Sequence, residues 1–195
     1  MSARKSGEER KREILDSALS ILHEEGASSL TVRNIAERVD ISEPAVYRHF
    51  DSKEEIVREL AEKVFEKERI PEMEEAEDAS ELVSTVLREI FSGLEDNPEI
   101  TVLFRDELFR EFPRVQEIFE RHRREKREKL EGIIEEAQER GQVSEDVDAE
   151  VFALILMGSV RMAVKEWAAS DFSYSLTDRA EPIAGELGRI LESGG

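Results

Sequence analysis

The chain contains no cysteine among its 195 residues, which excludes disulfides, thiolate catalysis and cysteine-ligated metal sites. Its three histidines lie far apart in the sequence, so we expect neither a metal nor a cofactor. No glycine-rich phosphate loop and no convincing Ser/His/Asp arrangement is present, which argues against an enzyme. The sequence also lacks an 18-residue apolar run and an N-terminus of the signal-peptide type. These absences predict a soluble, cytoplasmic protein.

Positive charge is scarce overall, but the imbalance is unevenly distributed. The chain has 47 acidic and 28 basic residues, giving a net charge of −19, whereas the first 50 residues carry nine acids and eight bases. Five of these bases form a leading arm that contacts DNA or is a solvated tail: Arg4, Lys5, Arg10, Lys11 and Arg12. The remaining acidity fits an ordinary acidic regulator or adaptation to a high-salt cytoplasm. The contrast indicates two functional parts.

Helix-forming residues dominate almost every segment, and no alternation typical of strands persists. Capping residues and prolines predict about nine helices, beginning at or near Glu8, Val32, Ser42, Ser52, Asp78, Pro98, Pro113, Asp148 and Thr177. We therefore predict an all-α protein with a helix-turn-helix domain over 1–53 and a helical effector-binding and dimerisation domain over 54–195.

Residues 31–53, TVRNIAERVDISEPAVYRHFDSK, hold the pattern that points to function. A short helix is followed by a tight turn at 39–41 and by a second short helix that opens at Ser42. This is the arrangement that lets a second helix enter the major groove of DNA.

At these residues the sequence resembles the TetR family of transcription regulators. The matching positions are Thr31, Ile35, Ala36, Ile41, Ser42, Tyr47, His49, Phe50, Lys53 and Glu54. Asp40 departs from the family's usual glycine in the turn, although aspartate tolerates a left-handed conformation better than most residues. The resemblance implies a homodimeric repressor that binds palindromic operator DNA. It also implies that the protein releases this DNA when a small molecule enters the C-terminal domain.

The resemblance also assigns roles to individual residues. Positions that hold phosphates correspond to Thr31, Tyr47, His49 and Lys53, and positions that face base edges correspond to Glu43, Pro44, Ala45 and Arg48. Ser42, beside them, is also expected to bind DNA. Arg48 is the clearest base-edge donor, whereas a carboxylate such as Glu43 can only accept, from the amino group of cytosine. Tyr47 has an alternative role as a packing residue.

The C-terminal part carries an apolar stripe on the helix after Pro113, which His122 and Lys126 interrupt. We predict a pocket for an apolar effector with an anionic head, formed by Phe104, Phe109, Phe119, His122, Lys126, Met157, Arg161 and Trp167. Two alternatives remain open. The charged run is a solvated stretch of helix, or the C-terminal domain binds a protein and the chain is a DNA-bound adaptor.

Small residues recur every four positions in the last helix. With their apolar neighbours they predict a dimer seam, formed by Ala180, Ile183, Ala184, Leu187 and Gly188. A helix buried within one chain would give the same pattern.

Overall fold

A computed structural model of the chain describes residues 6–65, 78–104 and 112–192. Over these ranges it contains eight α-helices, three short 3₁₀ helices and no strand, which confirms the all-α prediction. The α-helices are α1 (Gly7–Glu24), α2 (Val32–Val39), α3 (Glu43–Val46), α4 (Lys53–Phe65), α5 (Ala79–Asp96), α6 (Pro113–Glu139), α7 (Ala149–Ala169) and α8 (Ala180–Glu192). The 3₁₀ helices span Ala27–Ser29, Pro98–Phe104 and Thr177–Arg179.

Contacts divide the chain into two compact units. The first comprises Met1–Lys67 with Arg105–Glu120, and the second comprises Glu68–Phe104 with Arg121–Gly195. The unit that holds the helix-turn-helix segment is thus larger than the predicted 1–53 domain.

In the part of the chain that the structure describes, no helix has the length and apolar character needed to cross a membrane.

The helix starts follow the capping pattern of the sequence, with two differences. Asp78 and Asp148 accept the amides of Glu81 and Val151 at 2.8 and 3.0 Å, as N-cap residues do. Ser42, by contrast, occupies the N-cap position of α3 without a side-chain cap bond. The residues after Asn97 form a 3₁₀ helix where an α-helix was predicted, and its expected continuation through Phe109 lies outside the described residues.

In the second unit, α5 packs along α8, and a glycine sets how closely the two helices approach. A Cβ atom built at Gly188 would lie 2.8 Å from both Cα and Cβ of Ser80 on α5, a distance that real Cβ atoms do not reach. Ala180 and Ala184 on the same stripe are fully buried in the single chain. Small residues are needed here because the two helix backbones nearly touch.

This packing bears on the predicted dimer seam. Ala180, Ala184, Leu187 and Gly188 are already covered within one chain, and Ile183 is half-buried. Burial of four of the five residues favours the alternative, in which the stripe packs within one chain, and the dimer seam stays a prediction.

Glu95 lies at the other end of α5 from Ser80 and contacts the segment that precedes α8. Glu95 accepts hydrogen bonds from the Ser175 hydroxyl at 2.9 Å and from the Thr177 amide and hydroxyl at 3.2 and 3.1 Å. Burial alone would raise the pKa of Glu95, but these hydrogen bonds outweigh it and lower the pKa. Glu95 therefore fastens the start of the last helical segment to α5 in its charged form.

We expect Gly188→Ala to destabilise the protein, because the added methyl group would push α8 away from Ser80; overpacking of this kind costs about 1–3 kcal/mol. Gly185→Ala on the same helix is the control, since its Cβ would meet nothing within 4 Å and alanine favours a helix by about 1 kcal/mol. Thermal unfolding of both variants measures the difference. Equal stability of the two would contradict the close packing of α5 and α8.

Candidate nucleic-acid interface

The helix-turn-helix turn has the geometry that the sequence predicted. Asp40 adopts a left-handed conformation, with φ 56° and ψ 52°, and the Ile41 amide donates to the Ala36 carbonyl at 3.0 Å. This is a usual way for a helix to end, and it satisfies carbonyls that α2 leaves open. Asp40 thus takes the conformation that a glycine would favour in this turn.

Two buried side chains decide which residues of the second helix face outward. The α-helical part of α3 is only four residues long, and turns continue it through His49. Val46 and Phe50 are 0% and 1% exposed, whereas Tyr47 is 50% exposed and Arg48 is exposed. Because Val46 and Phe50 point into the core, Tyr47 and Arg48 face solvent.

The residues expected at phosphates lie on surfaces of the first unit. Thr31 is exposed, and its hydroxyl accepts the Asn34 amide at 3.0 Å, which leaves its own proton available to a phosphate oxygen. His49 is half-buried. Lys53, the first residue of α4, is also half-buried. Its ammonium group lies 5.1 Å from the centre of the Phe112 ring. The ring holds this cation at a helix N-terminus, where anions are favoured.

The residues expected near base edges form the outward start of α3. Ser42, Glu43 and Pro44 are exposed and Ala45 is half-buried. The hydroxyl of Ser42 is not used as a helix cap, so it can contact DNA.

Sequence reasoning did not single out Arg33 as part of this surface. Its guanidinium donates to Glu37 at 2.9 Å and remains largely exposed on α2. The hydrogen bond to Glu37 raises the pKa of Arg33, and the negative charge of Glu43 adds to the effect. Arg33 would therefore offset part of the repulsion that we expect between Glu43 and DNA. The four-residue spacing from Arg33 to Glu37 could have indicated this ion pair from the sequence.

Three cations of the expected basic arm belong to α1 and are engaged within the first unit. Arg10 and Arg12 lie 2.9 and 3.8 Å from Glu13 and Asp16, and Lys11 lies 2.8 Å from Glu59 on α4. The Lys11 ammonium also sits 5.3 Å from the centre of the Phe50 ring. These three residues belong to α1, as the predicted helix start near Glu8 implies, and contact of the arm with DNA stays a prediction. Arg4 and Lys5 lie outside the described residues.

The residues predicted to form the effector pocket fall in both units. Phe119 is buried in the first unit, where its ring packs edge to face with the Phe65 ring and the two ring centres are 4.5 Å apart. In the second unit Trp167 is buried and donates its indole N–H to the Tyr174 carbonyl at 2.8 Å. The polar and flexible members His122, Lys126, Met157 and Arg161 are half-buried. The Phe104 side chain and all of Phe109 lie outside the described part.

A cavity of about 620 Å³ occurs elsewhere in the second unit. Its walls are polar and come from α5 and the start of the last helical segment: Arg88, Glu89, Ser92, Thr177, Asp178 and Glu181. None of the residues predicted for the effector pocket lines it. Among residues 6–65, 78–104 and 112–192, no group of three His, Asp or Glu side chains could hold a metal ion.

Comparison with known proteins matches both parts of the chain. Residues 14–60 match the family model of bacterial regulatory proteins of the tetR family, and residues 57–188 match the model of the C-terminal region of YsiA-like proteins. The nucleoid occlusion factor SlmA of Vibrio vulnificus is 32% identical over 183 residues, covering 88% of this chain and 90% of that protein.

Solved structures share the fold. The fatty acid degradation regulator FadR of Bacillus halodurans is 21% identical with a TM-score of 0.77, covering 95% of this chain and 97% of that one. FadR of Bacillus subtilis, solved in complex with stearoyl-CoA, is 23% identical with a TM-score of 0.67, covering 94% and 98%.

A capped helix, a left-handed turn and a short helix with an outward tyrosine and arginine define a helix-turn-helix DNA-binding protein. The two family models together span residues 14–188, and the chain belongs to the TetR family of transcription regulators. The relatives and fold neighbours named above are a nucleoid occlusion factor and two FadR regulators.

We expect substitutions on this surface to separate phosphate from base contacts. Tyr47→Phe and Lys53→Ala should weaken binding to all duplexes, and Lys53→Ala should reduce the salt slope by about one unit. Arg48→Ala should relax preference at particular bases, at about 1–3 kcal/mol for a lost bidentate contact.

Equilibrium binding to selected and random duplexes at several salt concentrations measures both effects. Arg140→Ala, at an exposed ion-paired position directly after α6, is the control that removes one cation from another part of the chain. If all three variants bound both kinds of duplex as the parent does, this surface would not be the DNA interface.

Proposed function

We propose that this protein is a homodimeric repressor that binds a two-fold symmetric operator and releases it when an apolar effector with an anionic head binds the C-terminal domain. The observation that carries the proposal is the outward position of Tyr47 and Arg48 directly before the ring-supported Lys53. A single short helix makes few contacts. Two copies on half-sites one helical turn apart, or a multiple of it, would supply the affinity.

The outer face of α7 supports dimerisation and is our candidate for the seam. Val151, Leu154, Ile155 and Met162 are between 42 and 60% exposed, and they recur at helical spacing on one side of α7. Gly158 lies in their midst with open space where a side chain would be, so another helix can approach closely there. Each exposed apolar side chain in such a row gains free energy when it is buried.

A second copy of this chain is the occupant that this face fits. In a two-fold dimer the same patch meets itself, so an apolar row needs no complementary surface on a different protein. Ile190 is also exposed, on α8, and is the outward apolar residue of the helix originally expected to form the seam.

We expect Leu154→Glu to give a folded monomer, because its charge would lie opposite its own symmetry mate in an apolar seam. Operator affinity should fall at least tenfold, since one half-site contact is then lost. Light scattering and circular dichroism report mass and helix content. Ser173→Glu adds the same charge at an exposed loop position outside this face. A Leu154→Glu dimer with parental operator affinity would place the seam elsewhere.

The effector part of the proposal is supported by polar groups on largely apolar helices. His122 and Lys126 are half-buried within the apolar stripe of α6, and Arg161 is half-buried on α7. The fold neighbour from Bacillus subtilis binds stearoyl-CoA, an apolar chain with an anionic head. A ligand of this class therefore comes first among candidates.

The alternative function, a DNA-bound adaptor for a protein partner, is favoured by a different observation. The relatives at about 30% identity include proteins named nucleoid occlusion factors, a name that implies a role on the nucleoid. An adaptor would not need a metabolite to control its DNA binding.

Binding measurements with long-chain fatty acids and their coenzyme A thioesters would distinguish the two functions. A ligand releases DNA only through different affinities for two conformations, so operator should weaken ligand binding by the same factor as ligand weakens operator binding. Calorimetry with and without operator measures both factors. The operator itself is found by sequencing the genomic fragments that the purified protein retains. If no such ligand changed operator binding, the adaptor function would stand and the repressor mechanism would fall.

A further inference from the structure

Arg38 joins the first two helices of the DNA-binding unit at one point. It is the last residue but one of α2 and lies two positions before the left-handed Asp40. Its guanidinium donates hydrogen bonds to the end of α1: to the Ser20 hydroxyl at 2.7 Å, to the Glu24 carboxylate at 2.9 Å and to the Glu25 carboxylate at 2.7 Å. One side chain therefore fastens the end of α2 to the end of α1.

The partners of Arg38 form a connected cluster rather than separate surface pairs. The Ser20 hydroxyl donates to Glu24 at 2.8 Å while it accepts from Arg38, so these three side chains close a ring of hydrogen bonds. The hydrogen bonds from Ser20 and Arg38 lower the pKa of Glu24, which keeps this carboxylate charged. An isolated surface ion pair contributes little, but charge-assisted bonds that share partners hold one geometry.

The cluster supplies a directional contact that the apolar packing of α2 lacks. Ile35 and Ala36 are 0% and 2% exposed, and they anchor α2 in the core of the first unit. Apolar burial is non-directional, whereas a planar guanidinium donates along fixed directions. The bonds of Arg38 therefore fix how the C-terminal end of α2 is rotated against α1.

A rotation at this end of α2 would be passed on to the second helix of the helix-turn-helix. Three residues, 40–42, separate the end of α2 from the start of α3 at Glu43. The turn is also closed by the bond from the Ile41 amide to the Ala36 carbonyl, so the link has little freedom. The end of α2 thus determines where the outward Tyr47 and Arg48 lie.

We propose that Arg38 is a positioning residue for operator recognition, and that its bonds to α1 set the orientation in which α2 carries the turn and α3 to the major groove. This rests on the operator binding proposed above. The competing role is a direct contact from Arg38 to a DNA phosphate. One guanidinium and two carboxylates give the cluster a net negative charge, which disfavours a phosphate.

The two roles predict opposite effects when a carboxylate of the cluster is removed. Loss of a negative charge ordinarily strengthens DNA binding, because repulsion of the phosphates falls. If Arg38 contacted a phosphate, Glu24→Ala or Glu25→Ala would also free its guanidinium for that contact. If Arg38 positions α2, the same variants weaken operator binding although the protein becomes less negative.

The test uses Arg38→Ala, Glu24→Ala and Glu25→Ala in the full-length protein. Arg58→Ala and Glu62→Ala are the matched controls, since these side chains form an ion pair at 3.4 Å within α4. The side chains of Arg38 and Arg58 are 33% and 38% exposed, so the two arginine variants remove similar groups. Alanine favours the helix at every position.

Affinities are measured for an operator, found among retained genomic fragments, and for a random duplex at several salt concentrations. Circular dichroism fixes a temperature at which every variant is fully folded, so a loss of stability alone does not change the ratio of the two affinities. We expect this ratio to fall about tenfold in Arg38→Ala and about threefold in each of Glu24→Ala and Glu25→Ala. Both controls should keep the parental ratio, and the salt slope of Arg38→Ala should equal that of Arg58→Ala.

Several results would overturn the proposal. Stronger operator binding by Glu24→Ala and Glu25→Ala, with a salt slope about one unit lower in Arg38→Ala than in Arg58→Ala, would make Arg38 a phosphate contact. Equal losses in the controls would mean a general charge effect, and a parental ratio in all variants would leave Arg38 without a role. If the parent protein bound operator and random duplex equally, the proposed operator binding itself would fail.

Discussion

The DNA-binding surface depends on the burial of two side chains, Val46 and Phe50. A helix of four residues is not stable by itself, because nucleation costs more than so few hydrogen bonds return. Burial of these two residues and the left-handed turn at Asp40 hold α3 in place. The direction of Tyr47 and Arg48 follows from that packing. Lys11 reinforces the same core, since it lies over the Phe50 ring and pairs with Glu59.

The net charge does not show how the positive charges are used in this protein. Cations of α1 and α2 are used for internal contacts, such as the bonds from Arg38 to Glu24 and Glu25 at 2.9 and 2.7 Å. Few cations of these two helices are left to face DNA, so the second copy of the chain that we propose would add affinity that one copy lacks.

Much of this organisation was predictable because it depends on local sequence. The caps at Thr31, Asp78 and Asp148 were recognisable because a side chain and an amide three residues later suffice to form them. The left-handed turn at Asp40 was recognisable from its position between two short helices. The ion pair between Lys11 and Glu59 was not recognisable in this way, because the two residues are 48 positions apart.

The sequence by itself determined the helical class, most helix starts, the family and the residues of the helix-turn-helix segment. Tertiary structure decided which side of each helix is covered. The small residues of α8 face α5 because Gly188 meets Ser80, while four apolar residues on the outer face of α7 remain exposed. Periodicity shows that a helix has an apolar or small-residue face, but it does not say whether the same chain or a second one covers it. That choice depends on contacts between residues about 100 positions apart, which only the folded chain brings together.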